Sequence, residues 1–191
     1  MIDALIDFYL KSHGVTLFVL ALLALYFILI NWIFLYRFFS INSWISKETN
    51  ALESLLMGAS NVTDNAYLNH FIKTSSRLNK EILDLGMYAS TKEATKGLAF
   101  LSVVASTTPF IGLFGTVVSI LDTFKHIGGA SGTMSIIAAG VSDALIATAG
   151  GIFVAIFAYT YHQMLKRRSF ELSSLIRMQS DVLLSRLHSD T

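Results

Sequence analysis

Apolar residues gather in three long blocks along this chain. Val15 to Tyr36 has Thr16 and Asn31 as its polar interruptions, Leu98 to Leu121 reads LAFLSVVASTTPFIGLFGTVVSIL, and Ala144 to Leu165 reads ALIATAGGIFVAIFAYTYHQML. The last two contain no Asp, Glu, Lys or Arg. As helices they would measure ~33 to 36 Å at ~1.5 Å per residue, enough to cross a ~30 Å hydrocarbon core with some tilt. Three transmembrane helices are predicted, over 15–36, 98–121 and 144–165. The first is too long for the apolar core of a signal peptide, and Asp3 and Asp7 stand where a basic leader would begin, so it reads as a permanent span.

Outside these blocks the pattern thins to stripes at helical period. In residues 1–14, Asp3, Asp7 and Lys11 share one face and Ile2, Leu5, Ile6, Tyr9 and Leu10 the other, as in a short helix lying in the membrane interface. Residues 37–97 read as a helical pair: Ile41, Trp44, Ile45, Leu52, Leu55 and Leu56 keep the period, GASNVTDN (58–65) supplies a turn, and Leu68, Phe71, Ile72, Leu78, Ile82 and Leu85 resume it. Ser90 followed by Glu93 has the spacing of a capping box, from which one helix is expected to run unbroken into the second span. A loop is expected over 122–143. Leu172, Leu175, Ile176, Val182, Leu183 and Leu187 carry the third span on into a tail over 166–191, so that about 142–187 reads as one helix of ~65 Å.

Composition agrees with a membrane protein: the chain is 191 residues, 53% hydrophobic and 14% charged, with a mean hydropathy of +0.59. The formal net charge of +1 is uninformative, but the placement of the charges is not. Lys11 precedes the first span and Lys125 lies between the second and third. Arg37, Lys47, Lys73, Arg77, Lys80, Lys92 and Lys96 lie between the first and second, and Lys166, Arg167, Arg168, Arg177 and Arg186 in the tail. By the positive-inside rule 37–97 and 166–191 are cytoplasmic, and the N-terminus and 122–143 face outward. The absence of cysteine excludes disulfides and a thiol nucleophile. No nucleophile stands with a base, so no enzyme and no cofactor are expected, nor is a nucleic-acid partner.

Chemistry is concentrated in the last two spans. Gly112, Thr116 and Ser119 fall near one face of the second with Thr108 a turn earlier, and Gly115 adds a further small residue. Ala147, Gly151 and Ala155 make a small-residue stripe on the third, with Ala144 and Thr148 adjoining. One reading is close helix packing with each hydroxyl bonded back to its own helix. The other is a hydrated path for ions or protons, lined by Thr108, Thr116, Ser119 and Thr148. Hydroxyls do not titrate near neutral pH, so a proton path would need a mid-membrane carboxylate from a partner. Asp143 either caps the third helix, where negative charge is favoured, or stands at the mouth of the path; it lies about 140° round the helix from Thr148. Pro109, the single proline, is expected to kink the second span. Asp122 and His126 are too few for a metal site. Gly128, Gly129 and Gly132 lack the context of a phosphate loop. Lys166, Arg167 and Arg168 read as an inner-face anchor that attracts anionic lipid.

Two stretches carry a family resemblance: TPFIGLFGTVVSI (108–120) and GVSDALIATAGGIFVAI (140–156). With the long segment between the first two spans and the helical tail, they resemble the TolQ/ExbB/MotA superfamily of proton-driven motor subunits, with three spans rather than the four of MotA-like members. IGLFGTV and ALIATA are closer to TolQ-like members. The resemblance implies an all-α membrane protein with three transmembrane helices and long cytoplasmic helical extensions. It also implies a homo-oligomeric ring of about five copies in a bacterial inner membrane. Such a ring surrounds single-span TolR- or ExbD-like chains whose membrane aspartate carries protons, and works with a TolA- or TonB-like protein. The implied pore residues are Thr116 and Thr148, with Asp143 as the acidic residue before the third span. Aspartate stands there in place of the usual glutamate, and Phe157 and Ala139 occupy positions where proline is common.

Overall fold

The computed structural model describes residues 14–58, 64–74, 80–127 and 134–189. They form five helices: α1 Gly14–Leu56, α2 Tyr67–Thr74, α3 Lys80–Ala94, α4 Leu98–Ile127 and α5 Met134–Ser189. Residues 1–13 of the expected interfacial helix, 59–63 of the turn after Gly58 and 128–133 of the glycine loop lie outside the described residues. Among the described residues three stretches are long and apolar enough to cross a membrane, Thr16–Leu56, Lys80–Lys125 and Ile137–Arg186. In helices the backbone satisfies its own hydrogen bonds, as hydrocarbon requires. The fold is therefore all-helical with three long apolar helices, as befits a membrane protein.

Several sequence expectations are corrected. Ser90 does not start a helix: it lies within α3 and its hydroxyl donates to the Met87 carbonyl at 2.8 Å. The break comes later, at Thr95–Gly97, where Gly97 has φ +87, the left-handed conformation that ends a helix. The expected 122–143 loop is largely helical, because α4 continues to Ile127 and α5 begins at Met134. Ile137, Ala138 and Ala139 are compatible with helix, and hydropathy alone marked where the apolar block began rather than where the helix did. Asp143 thus lies well inside α5 and does not cap its start. The helix resuming after the GASNVTDN turn is divided between α2 and α3. Pro109 sits inside α4, which runs through it.

The chain divides into two compact units. The first, Met1–Trp32 with Phe100–His162, packs α4 antiparallel to α5 with the start of α1 beside them. Val19 lies against Gly115, and Leu20 and Leu23 against Gly150. Phe27 meets Phe153 and Phe157 with ring centroids 5.6 and 5.4 Å apart, so Phe157 packs α5 on α1. Below these rings the Tyr161 hydroxyl donates to Asn31 Oδ1 at 2.9 Å.

The second unit, Ile33–Ala99 with Gln163–Thr191, is built on a heptad. Ile41, Ile45, Glu48, Leu52 and Leu55 are buried on α1, and Leu165, Ser169, Leu172, Ile176, Gln179 and Leu183 on α5, at alternating spacings of four and three. The two helices run in parallel register: Gln179 Nε2 donates to Glu48 Oε2 at 2.8 Å and to the Glu48 carbonyl at 2.9 Å, and seven residues on Arg186 donates to the Leu55 carbonyl at the end of α1. Glu48 also accepts from Trp44 Nε1 at 3.0 Å and from the Tyr67 backbone N–H at 2.9 Å, where α2 starts. Arg37 donates to the carbonyls of Glu93 and Ala94, and Ser169 to that of Ala94, closing the end of α3. On the surface, Lys73 and Asn69 hold the Asp64 carboxyl below its ordinary value through hydrogen bonds, with the lysine charge adding to the effect.

Candidate functional site

The seam between α4 and α5 in the first unit is fixed by two glycines. A Cβ on Gly112 would lie 2.7 Å from the Ala147 carbonyl oxygen, and one on Gly151 would lie 2.5 Å from that of Thr108. The helices therefore touch backbone to backbone, the close approach that small residues allow in lipid. Ala144 and Ala147 are fully buried along the same line, and Ala155 nearly so.

That approach brings two hydroxyls together one turn from Gly112. Thr116 Oγ1 donates across the seam to the Ala144 carbonyl at 3.0 Å, and lies 3.3 Å from the Gly112 carbonyl of its own helix. It meets Thr148 Oγ1 at very short range. Thr148 Oγ1 in turn lies 3.3 Å from the Gly112 carbonyl. Both side chains are half-buried. Each hydroxyl has one proton, and backbone carbonyls or the other threonine take both. What the pair has left to offer is acceptor lone pairs, suited to a water or a protonated carboxyl group approaching from outside this chain.

The other predicted residues are placed differently. Thr108 is fully buried and donates to the Val104 carbonyl of its own helix at 2.9 Å. Ser119 is buried, one turn beyond Thr116, with no partner for its hydroxyl among the described residues. Asp143 is half-buried on α5, and Pro109 and Gly115 flank the seam on α4. In the second unit Lys166 and Arg167 are exposed, and Arg168 bonds Glu171 at 3.0 Å. Arg167 and Arg168 line a groove of about 660 Å³ together with Phe38, Met164, Phe170 and Met178. The side chain of His126 lies outside the described residues. Among those described, no cluster of three His, Cys, Asp or Glu could hold a metal ion.

Sequence reasoning passed over several polar positions. Thr123 donates to the Ser119 carbonyl at 2.9 Å and fills the space beside Gly140. Thr16, noted in the sequence only as an interruption of the first span, is buried with no partner for its hydroxyl among the described residues. Their spacing offered a signal, since Thr116, Ser119 and Thr123 continue one face of α4 at steps of three and four.

Comparison with known proteins bears on this hairpin directly. Residues 57–178 match the model of the MotA/TolQ/ExbB proton channel family. Biopolymer transport protein ExbB-like 1 of Helicobacter pylori is 38% identical over 188 residues, covering 97% of this chain and 100% of that protein. The Tol-Pal system protein TolQ of Haemophilus influenzae is 40% identical over 87 residues, 45% of this chain and 38% of TolQ. The biopolymer transport protein ExbB of Salmonella typhimurium is 29% identical over 131 residues, 68% of this chain and 51% of that one. The matched span takes in both glycines and both threonines of the seam, and the likeness to ExbB-like 1 runs almost end to end. By its sequence the chain belongs to the MotA/TolQ/ExbB proton channel family.

Proposed function

We propose that this chain is the ring subunit of a proton-motive-force-driven motor in a bacterial inner membrane, with the N-terminus periplasmic and the C-terminus cytoplasmic. About five copies surround a single-span TolR- or ExbD-like partner whose membrane aspartate carries the proton. The observation that supports this reading is the Thr116–Thr148 pair, whose hydroxyl protons are spent on neighbours while its lone pairs remain free, set between two spans without a charge. A protonated aspartate on the partner can donate to these lone pairs and an ionised one cannot, so the pair favours the neutral form during transit. Asp143, Thr108 and Ser119 are further candidates for the path. Pro109, Gly112, Gly115, Ala147, Gly151 and Ala155 shape its wall. Lys166, Arg167 and Arg168 anchor the inner face against anionic lipid.

The test is proton flux into vesicles containing this chain and its partner. Thr148→Val keeps the shape and removes the hydroxyl, and flux should fall at least about tenfold with assembly intact, the loss of one ~1.4 kcal/mol interaction in the rate-limiting state. Undiminished flux in Thr148→Val and Thr116→Val would instead leave a passive scaffold packed by small residues. Two machines fit the motor. A TolQ-like role in Tol-Pal type envelope maintenance is suggested by IGLFGTV and ALIATA, whereas the end-to-end likeness to an ExbB-like protein favours energising of outer-membrane uptake. Deletion separates them: leakage of periplasmic protein marks the first, and loss of growth on large iron chelates the second.

A further inference from the structure

The second unit carries a polar groove of about 720 Å³ between α3 and α5, lined by residues including Lys80, Asp84, Tyr88, Arg177, Ser180 and Asp181. All four charged side chains are exposed and none makes an ion pair among the described residues. Ser180 is fully buried in the groove wall, and its hydroxyl has no partner among the described residues. Tyr88, at the groove, is 70% exposed. The groove is thus an incomplete surface with both signs of charge.

The same unit has a second unpaired surface. The outer face of α1 is polar: Ser43, Ser46, Lys47, Asn50 and Glu53 are exposed, and neither Lys47 nor Glu53 has an ion-pair partner among the described residues. This face cannot fold into its own groove. Gln179 of α5 faces Glu48 on the buried side of α1, and the groove-lining residues of α5 lie about 100° to 160° round that helix from Gln179. The two surfaces look out from different sides of the unit.

Their charges fall at matching heights. The Glu48–Gln179 and Leu55–Arg186 bonds set Glu53 level with Leu184 and Lys47 just above Ser180. The contact of Thr91 Oγ1 with Ser173 Oγ at 3.4 Å, with α3 antiparallel to α5, sets Asp84 level with Ser180 and Lys80 level with Leu184. Glu53 therefore stands at the height of Lys80, and Lys47 within side-chain reach of the height of Asp84 and Asp181. Copies related by rotation about an axis along the helices keep these heights, and a contact between two different surfaces closes into a ring when that rotation is a whole fraction of a turn.

We infer that the α3–α5 groove receives the outer face of α1 from a neighbouring copy, pairing Glu53 with Lys80 and Lys47 with Asp84 and Asp181. This rests on the ring reading above and adds which surfaces meet. The chain has no cysteine, so Glu53→Cys and Lys80→Cys together, treated in native membranes with a short bis-maleimide, should give a ladder of covalent multimers ending at the ring size. Each single variant should stay monomeric on a denaturing gel. In the pair Asn50→Cys with Asp181→Cys, Lys47→Glu should cut crosslinking about fivefold, as exposed ion pairs worth up to ~1 kcal/mol predict. Adding Asp84→Lys should recover it. A native-mass oligomer that gives no ladder with either cysteine pair overturns this interface and leaves the ring standing. A native mass of one chain overturns the ring itself, and the interface with it.

Discussion

Glu48 shows how a single residue can organise a unit. Its carboxyl oxygens accept from an indole, a helix-starting backbone N–H and a glutamine, all from positions that are otherwise buried or half-buried. Glu48→Ala leaves the Trp44 indole and the Tyr67 N–H without an acceptor, at about 1–3 kcal/mol for each one that water cannot reach, and leaves Gln179 only the backbone carbonyl of residue 48. Glu48→Gln keeps an oxygen for Trp44 and Tyr67 but sets one amide N–H₂ against another at Gln179. In detergent, thermal unfolding should come earliest for Glu48→Ala, next for Glu48→Gln, and latest for the unaltered chain. The sequence did contain the hint. The stripe Ile45 to Leu52 skips a core position, and so does Ile176 to Leu183. A polar residue filling a heptad core position marks register, and only knowledge of which helices pair shows that these two gaps face each other. Thr116 and Thr148 were legible by contrast, because hydroxyls at helical spacing stand out in charge-free spans.

At the level of elements, α4 and α5 are held by backbone contact, so their sensitivity to added volume differs from glycine to glycine. Gly112→Ala and Gly151→Ala each place a methyl group against a backbone carbonyl that cannot rotate away, whereas at Gly115 the nearest atoms are side-chain methyls of Ala147 and Val19 at 3.1 Å. The first two should lower stability by about 1–3 kcal/mol and Gly115→Ala by less, read as midpoints of thermal unfolding. They should also lower proton flux, since the Thr116 bond to the Ala144 carbonyl depends on the same approach. The existence and order of the spans could be read from hydropathy, but their ends could not. Where α5 starts depends on helix-compatible residues ahead of the apolar block, and where α3 stops on Gly97 adopting a left-handed conformation after Lys92 and Lys96, a stop signal that the apolar pattern running on through Leu98 concealed.

For the molecule as a whole, the all-helical fold and family were within reach of one sequence because they rest on long blocks and two local motifs. The pairing of α1 with α5 was not, since it joins residues 131 apart in the chain. Native mass spectrometry of the detergent-extracted chain, alone and then with a single-span partner carrying a membrane aspartate, should show about five copies that retain fewer partner chains than subunits. Recovery of one or two copies without a partner in several mild detergents would remove the basis of the motor. The parallel register also limits how such a unit can change length. One residue inserted between Glu48 and Leu55 would turn the end of α1 by about 100°, exposing its core and burying its polar face. Seven residues added to both helices would restore every pairing about 10 Å further along. The reach of this unit is therefore quantised: related chains with longer or shorter extensions should differ there by whole heptads, gained or lost in α1 and α5 together.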